Sequence, residues 1–175
     1  MKLNTKVITG SVILNYVNIK EPRANGLYQE PKYSTTILIP KESNTMDKVY
    51  EAMYNATKNG LEIWGGQVPG DLITCLKDGD ETGKEEYKNH FYINATSKYR
   101  PQVVDKDLKL LNPEKLYSGC FARVSINFYP YNHRESNNKG ISCELLNIQK
   151  LKDGNRIINR ASAVDDFDIV NDGIL

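Results

Sequence analysis

The sequence predicts a mainly β protein: a small five-stranded antiparallel β-barrel with one amphipathic helix, a long insertion and an acidic C-terminal tail. Three observations predict it. Period-two alternation recurs in five separate stretches, one stretch shifts to the helical period, and the regular strand-helix-strand alternation of a parallel sheet is missing. A chain of 175 residues fits one core, taken as residues 1–160, with residues 161–175 as a flexible tail.

The first strand covers residues 7–18, with Val12, Leu14 and Tyr16 on one face, Ser11, Ile13 and Asn15 on the other, and Gly10 at a bend or bulge. After the turn-rich EPRANGLYQEPK, a second strand covers residues 33–39, where Tyr33, Thr35, Ile37 and Ile39 share a face until Pro40 stops the ladder. Within residues 43–59 the period changes. Met46, Val49, Tyr50, Met53 and Ala56 recur at helical spacing, with Asn44 and Asp47 as start signals and Asn59-Gly60 as the stop. This helix covers one end of the sheet, and its apolar stripe is core.

Residues 61–90, containing WGGQVPG and KDGDETGKEEYKNH, read as a long insertion with a short hairpin. A third strand follows at 91–98, then a largely irregular connection over 99–119. Two final strands at 120–130 and 140–150 flank the polar loop YNHRESNNKG. Five strands and one helix point to a closed or partly open barrel, of which the OB-fold is the commonest five-stranded form.

Composition narrows the function. Eleven Tyr stand against four Phe and one Trp, so most aromatic area tolerates water at one end and suits a contact surface. Lys and Arg total 23 and Asp and Glu 22, yet Asp165, Asp166, Asp168 and Asp172 crowd into a tail with no basic residue. The rest of the chain is therefore mildly basic. Cys75, Cys120 and Cys143 form no C-x-x-C pair and read as small core residues in a reducing compartment. No apolar run approaches the ~18 residues of a membrane span, and MKLNTKVITGS lacks the apolar core of a signal peptide. A cytoplasmic protein is expected.

Phosphate-loop, dinucleotide, zincin and nucleophile-elbow motifs are all missing from the sequence. Asp78, Asp80, Thr82 and Gly83 match the start of a calcium loop, but Asn89 stands where a bidentate Glu is required, so DGDETG reads as a solvated turn. His90 and His133 lie in separate polar loops and do not make one metal site. No catalytic residue, metal or cofactor is expected. The enzymatic alternative is a metal-dependent nuclease using Asp78, Asp80 and Glu81.

The stretch GCFARVSINFYPYN, residues 119–132, carries the strongest binding signal. Cys120, Ala122, Val124, Ile126 and Phe128 alternate onto an apolar face. The opposite face holds Phe121, Arg123, Ser125, Asn127, Tyr129 and, past Pro130, Tyr131. The strand at 91–98 behaves alike: Phe91, Ile93 and Ala95 oppose Tyr92, Asn94, Thr96 and Lys98, and Tyr99 and Arg100 follow. Aromatics with small polar and cationic neighbours can stack bases, at about 1–3 kcal/mol each and with little regard to sequence, while the cations pair with phosphates. Trp64 is a further candidate stacking group, with a core or lid role as its alternative.

The segments KYSTTILIPK (32–41), DGD (78–80), EYKNHFYINATSKYRPQVVD (86–105), YSGCFARVSINFYPYN (117–132) and KGISCELLNIQKLKDG (139–154), with the acidic end, occur in one order. Together they resemble the OB-fold single-stranded DNA-binding proteins of tailed bacteriophages. The resemblance implies a non-catalytic protein of the bacterial host cytoplasm that coats and protects single strands during phage replication or recombination. It also implies a track with Tyr92, Lys98, Tyr99 and Arg100 on one side and Phe121, Arg123, Tyr129 and Tyr131 on the other. The tail is similar to those that compete with DNA and recruit replication or recombination enzymes, here through Asp165, Asp166, Phe167 and Asp168. It departs from tails that finish on an aromatic, since this chain ends Asp-Gly-Ile-Leu. The reading from a different class is a structural or protein-interaction barrel of the phage particle.

Overall fold

A computed structural model describes residues 1–24 and 26–170. Among them lie nine strands: β1 (Lys6–Ile8), β2 (Val12–Arg23), β3 (Lys32–Pro40), β4 (Ile73–Thr74), β5 (Leu76–Asp78), β6 (His90–Ser97), β7 (Gln102–Val104), β8 (Phe121–His133) and β9 (Asn138–Lys152). The main helix is α1 (Thr45–Asn59), and α2 (Ala163–Asp166) is a single turn.

The five long strands are the five that periodicity predicts, and they close a ring in the order β2-β3-β6-β9-β8 and back to β2. An odd ring cannot be antiparallel throughout, because each antiparallel step reverses direction and five reversals do not restore it. One seam must be parallel. It is β6 against β9, joined at the single register pair Thr96–Glu144, and the antiparallel expectation is corrected there.

That seam is thin, and the insertion fills it. β4 adds to β9 in parallel at Gly140 and Ile141, while β5 adds to β6 in antiparallel fashion at residues 91–93. The two short strands expected to form a hairpin therefore pair with different neighbours. The second thin seam, β2 against β8, is reinforced by backbone bonds between Leu14 and Cys120 (3.1 Å) and between Gly119 and Leu14 (2.8 Å).

The first strand breaks at residues 9–11. β1 runs along β8 at residues 125–127, whereas β2 meets it at 121–122. A second irregularity, between Asn15 and Asn18, puts Tyr16 at φ +46°. This bulge reverses the expected faces: Asn15 is fully buried and Tyr16 is 43% exposed.

The barrel interior holds Leu14, Ile37, Ile93, Val124, Ile126, Phe128 and Leu145, and α1 contributes Met46, Val49, Ala52 and Ala56. All five residues assigned inward on β8 and its approach, from Cys120 to Phe128, are exposed by 1% or less. Burial raises the Cys120 and Cys143 thiols and pushes that of half-buried Cys75 up to about 11. Asn44 makes no side-chain cap; the Thr45 N–H donates to Ser43 Oγ instead (3.2 Å). Gly60 closes the helix at φ −80°, so its role is close packing: a Cβ there would stand 2.6 Å from the Trp64 ring and 2.8 Å from Pro130.

Candidate nucleic-acid interface

The outward side chains of β3 and β6 form the floor of an open trough. Register pairs Ser34 with Thr96, Thr36 with Asn94 and Leu38 with Tyr92, so alternation presents Ser34, Thr36, Tyr92, Asn94 and Thr96 outward. The Thr36 hydroxyl donates to Asn94 Oδ1 at 2.7 Å. Tyr16, Asn18 and Arg23 of β2, with Thr82, Lys84 and Tyr87 of the insertion, line a cavity of about 410 Å³ over this floor.

This cavity continues in both directions. Through Thr96 it meets a cavity of about 250 Å³ lined by Lys32, Ser97, Lys98, Tyr99, Tyr129 and Glu144. Through Tyr92 and Thr82 it meets one of about 600 Å³ bordered by Leu76, Lys77 and Phe91. The trough thus follows β6 along its length.

Its central wall is pre-organised by hydrogen bonds. Tyr87 is 3% exposed and meets the Tyr92 ring edge-on, with centroids 5.1 Å apart. The buried Asn15 amide donates to Tyr87 Oη at 2.9 Å and accepts from Asn159 Nδ2 at 2.7 Å and from the Tyr16 N–H at 2.9 Å. Burial raises the Tyr87 phenol. Lys84 donates to Tyr16 Oη at 3.2 Å, with its ammonium 5.4 Å from the Tyr16 ring centroid and 5.2 Å from that of Tyr87. The hydrogen bond to Tyr16 raises the Lys84 pKa.

Asp78 and Asp80 of DGDETG are engaged in structure. Lys41 Nζ lies 2.6 Å from both Asp78 Oδ1 and Asp80 Oδ2, and the carboxylates also accept from the N–H groups of Asp80 and Asn89. The Lys41 hydrogen bonds hold both carboxyls below their ordinary range and raise the Lys41 ammonium. Gly79 passes so close to the carbonyls of Tyr87 and His90 that a Cβ has no room. Among the described residues, no three His, Cys, Asp or Glu side chains come together as a metal site.

Of the nine residues singled out in the sequence, four line the trough. Lys98, Tyr99 and Tyr129 share its 250 Å³ end, with Tyr99 78% and Tyr129 37% exposed, and Tyr92 stands at its centre. Arg100 turns to the barrel end, donating to the Lys20 carbonyl at 2.8 Å and lying 5.7 Å from the Tyr33 ring centroid. Phe121 and Arg123 stand at the far end of β8, outside these cavities. The Lys152 ammonium covers the Phe121 ring at 4.7 Å, and Arg123 Nε donates to the Thr9 carbonyl at 3.1 Å. Tyr131 leans on His133 with ring centroids 5.0 Å apart. Trp64 is 8% exposed and its indole N–H donates to the Tyr131 carbonyl at 3.0 Å, which makes it a core residue without a free stacking face.

Sequence reading missed Tyr16, Arg23, Lys32, Lys84 and Glu144. Only the bulge turns Tyr16 outward. Lys32 and Glu144 carry no local signal, because the ring brings them beside Tyr99.

The fold and trough define an OB-fold barrel whose open aromatic and cationic surface can take flat rings and phosphates. The family described as the single-stranded DNA-binding protein of Enterobacter phage Enc34 matches residues 5–174, and the chain belongs to that family. A curated relative, putative protein p50 of Acyrthosiphon pisum secondary endosymbiont phage 1, is 28% identical over 93% of this chain and 92% of its own. The bacteriophage Enc34 single-stranded DNA-binding protein in complex with ssDNA superposes with a TM-score of 0.76 at 25% identity, covering 87% of this chain and 89% of that one. A further structure of the Enc34 protein gives a TM-score of 0.73 at 26% identity, covering 94% and 90%. Among the described residues, no helix is long and apolar enough to cross a membrane.

Proposed function

We propose that this chain is a sequence-nonspecific single-stranded DNA-binding protein that coats and protects single strands in phage DNA replication or recombination. The observation that carries the reading is the continuous trough over β3 and β6, the face that OB-folds use for oligonucleotides. Tyr92, Tyr99, Tyr129 and Tyr16 supply ring faces, and Lys32, Lys98, Lys84 and Arg23 the charge for phosphates. A fluorescent oligothymidine is expected to bind at low salt, with a log–log salt slope of about −0.7 per phosphate contacted. Affinity no better than that of albumin would refute the assignment.

The reading includes no chemical step; the pairing of Asp78 and Asp80 with Lys41 supports it against the nuclease alternative. Labelled single strands should survive incubation with magnesium or manganese. Cleavage would restore the nuclease alternative.

The tail is assigned a competing role. Residues 1–160 form the binding body. Ile157 donates its N–H to the Ser118 carbonyl (2.9 Å) and Asn159 bonds Asn15 (2.7 Å), the residue before trough-lining Tyr16. The acidic segment therefore departs from the body beside the trough. Asp165 and Ser162 cap the α2 turn, and Phe167 is 76% exposed. Asp165, Asp166, Phe167 and Asp168 are the proposed contacts for replication or recombination enzymes; residues 171–175, with Asp172 and the Asp-Gly-Ile-Leu end, lie outside the described residues. Deleting residues 161–175 should tighten oligothymidine binding, and unchanged affinity would remove the competition.

A further inference from the structure

Beyond β9 the chain carries two features that the trough does not use, and each is the chemical complement of the other. Residues 156–160 line a cavity of about 470 Å³ beside Ser118, with Arg156 and Arg160 at the ends of the segment and Ile157 and Ile158 between them. The segment is fixed to the body. The Ile157 N–H donates to the Ser118 carbonyl at 2.9 Å, Asn159 Nδ2 donates to Asn15 Oδ1 at 2.7 Å, and the Arg156 guanidinium lies 4.4 Å from the Tyr117 ring centroid. Both arginines are exposed, and so is Ile158. Further on, Asp166, Phe167 and Asp168 present the reverse pattern: one large apolar ring, 76% exposed, between two exposed carboxylates. This acidic segment does not fold back on its own cavity. Among the described residues, no ion pair includes Arg156, Arg160, Asp166 or Asp168. Asp165 closes the α2 turn by accepting from the Ser162 hydroxyl and N–H, at 2.6 and 3.0 Å. The neighbouring Asp153 is engaged by Lys150 at 2.6 Å.

We infer that this cavity is an interface for a second copy of the chain: Phe167 of one copy packs on Ile157 and Ile158 of the next, and Asp166 and Asp168 pair with Arg156 and Arg160. The inference rests on the single-stranded DNA reading above. Guanidinium and carboxylate form charge-assisted, two-pronged hydrogen bonds, and the ring leaves water as it docks. The two complementary patches sit at different places on one chain, so the contact is heterologous. Repeated without closing, such a contact builds an open array, which lays successive copies along a strand in one direction. The cavity shares no lining residue with the trough, so DNA and the neighbour's tail are held at once. A tail that DNA drives out of one trough is thereby retained by the next copy.

The test compares affinity per site, by fluorescence anisotropy, for an oligothymidine that holds one protein and for one about four times as long. Wild-type protein should bind the long strand more tightly by about 10- to 100-fold, from two exposed ion pairs and one buried ring, and salt should shrink the ratio. Arg156→Glu with Arg160→Glu should bring the ratio to within twofold, and so should Asp166→Lys with Asp168→Lys. An equimolar mixture of these two proteins should restore it, because every contact in an alternating array again joins opposite charges. A wild-type ratio within twofold would overturn the inference, as would a ratio that survives either pair of charge reversals. Loss of the ratio with no recovery in the mixture would also overturn it, and would assign the arginines to DNA phosphates instead. Failure of the wild-type protein to bind either strand would refute the single-stranded DNA reading itself.

Discussion

Tyr129 and Arg123 stand on the same outward face of β8, six residues and about 20 Å apart at 3.4 Å per residue, yet their surroundings differ. Tyr129 opens into the trough beside Tyr99 and Glu144. Arg123 is tied to the Thr9 carbonyl, and its neighbour Phe121 lies under Lys152. The alternation that marks both as surface residues is the same. What separates them is ring closure, which brings one end of β8 toward the β6–β9 seam and the other to the β2 seam. Parity along a strand decides inside against outside; the path of the barrel decides what an outside residue meets.

The comparison can be broken most directly at the trough end. Tyr99→Ala combined with Tyr129→Ala removes two stacking faces and should weaken oligothymidine binding by about 2–6 kcal/mol, measured by anisotropy. A loss below threefold would take the binding face away from this end. Next in size, Asn15→Ala leaves the Tyr87 hydroxyl and the Asn159 amide without their buried partner and should lower unfolding stability by about 1–3 kcal/mol, read by urea denaturation. The same change should loosen DNA binding, because Tyr87 positions Tyr92.

Lys84→Ala tests the insertion wall. Removing one phosphate-facing cation should flatten the log–log salt slope by about 0.7, and an unchanged slope would assign Lys84 to bracing Tyr16 alone. The smallest effect is expected at the other end of β8. Phe121→Ala with Arg123→Ala should change oligothymidine affinity less than twofold, and a loss comparable to that of the tyrosine pair would extend the track around the barrel onto β8.

Much of the fold was legible because period-two alternation directly records burial on two faces. Residues 120–128 divide as expected, and so do Phe91 to Lys98, with Ile93 and Ala95 fully buried. Tyr16 was grouped with the buried Val12 and Leu14, and Asn15 with the opposite face, because a bulge adds a residue without changing composition and so leaves no local signal. Of the two roles open to Trp64, stacking group or core residue, the structure takes the core one, and Gly60 is small so that the indole can pack against it.

By itself, the sequence determined the five long strands, the one helix, the apolar interior of β8 and the outward run from Tyr92 to Tyr99, all of which depend on neighbours a few residues apart. Only the tertiary structure decided the parallel seam, which an odd ring requires but no local pattern specifies. It also decided that Lys32, Tyr99, Tyr129 and Glu144, drawn from four distant segments, share one pocket. Closure of the ring sets those distances, and closure is a property of all five strands together.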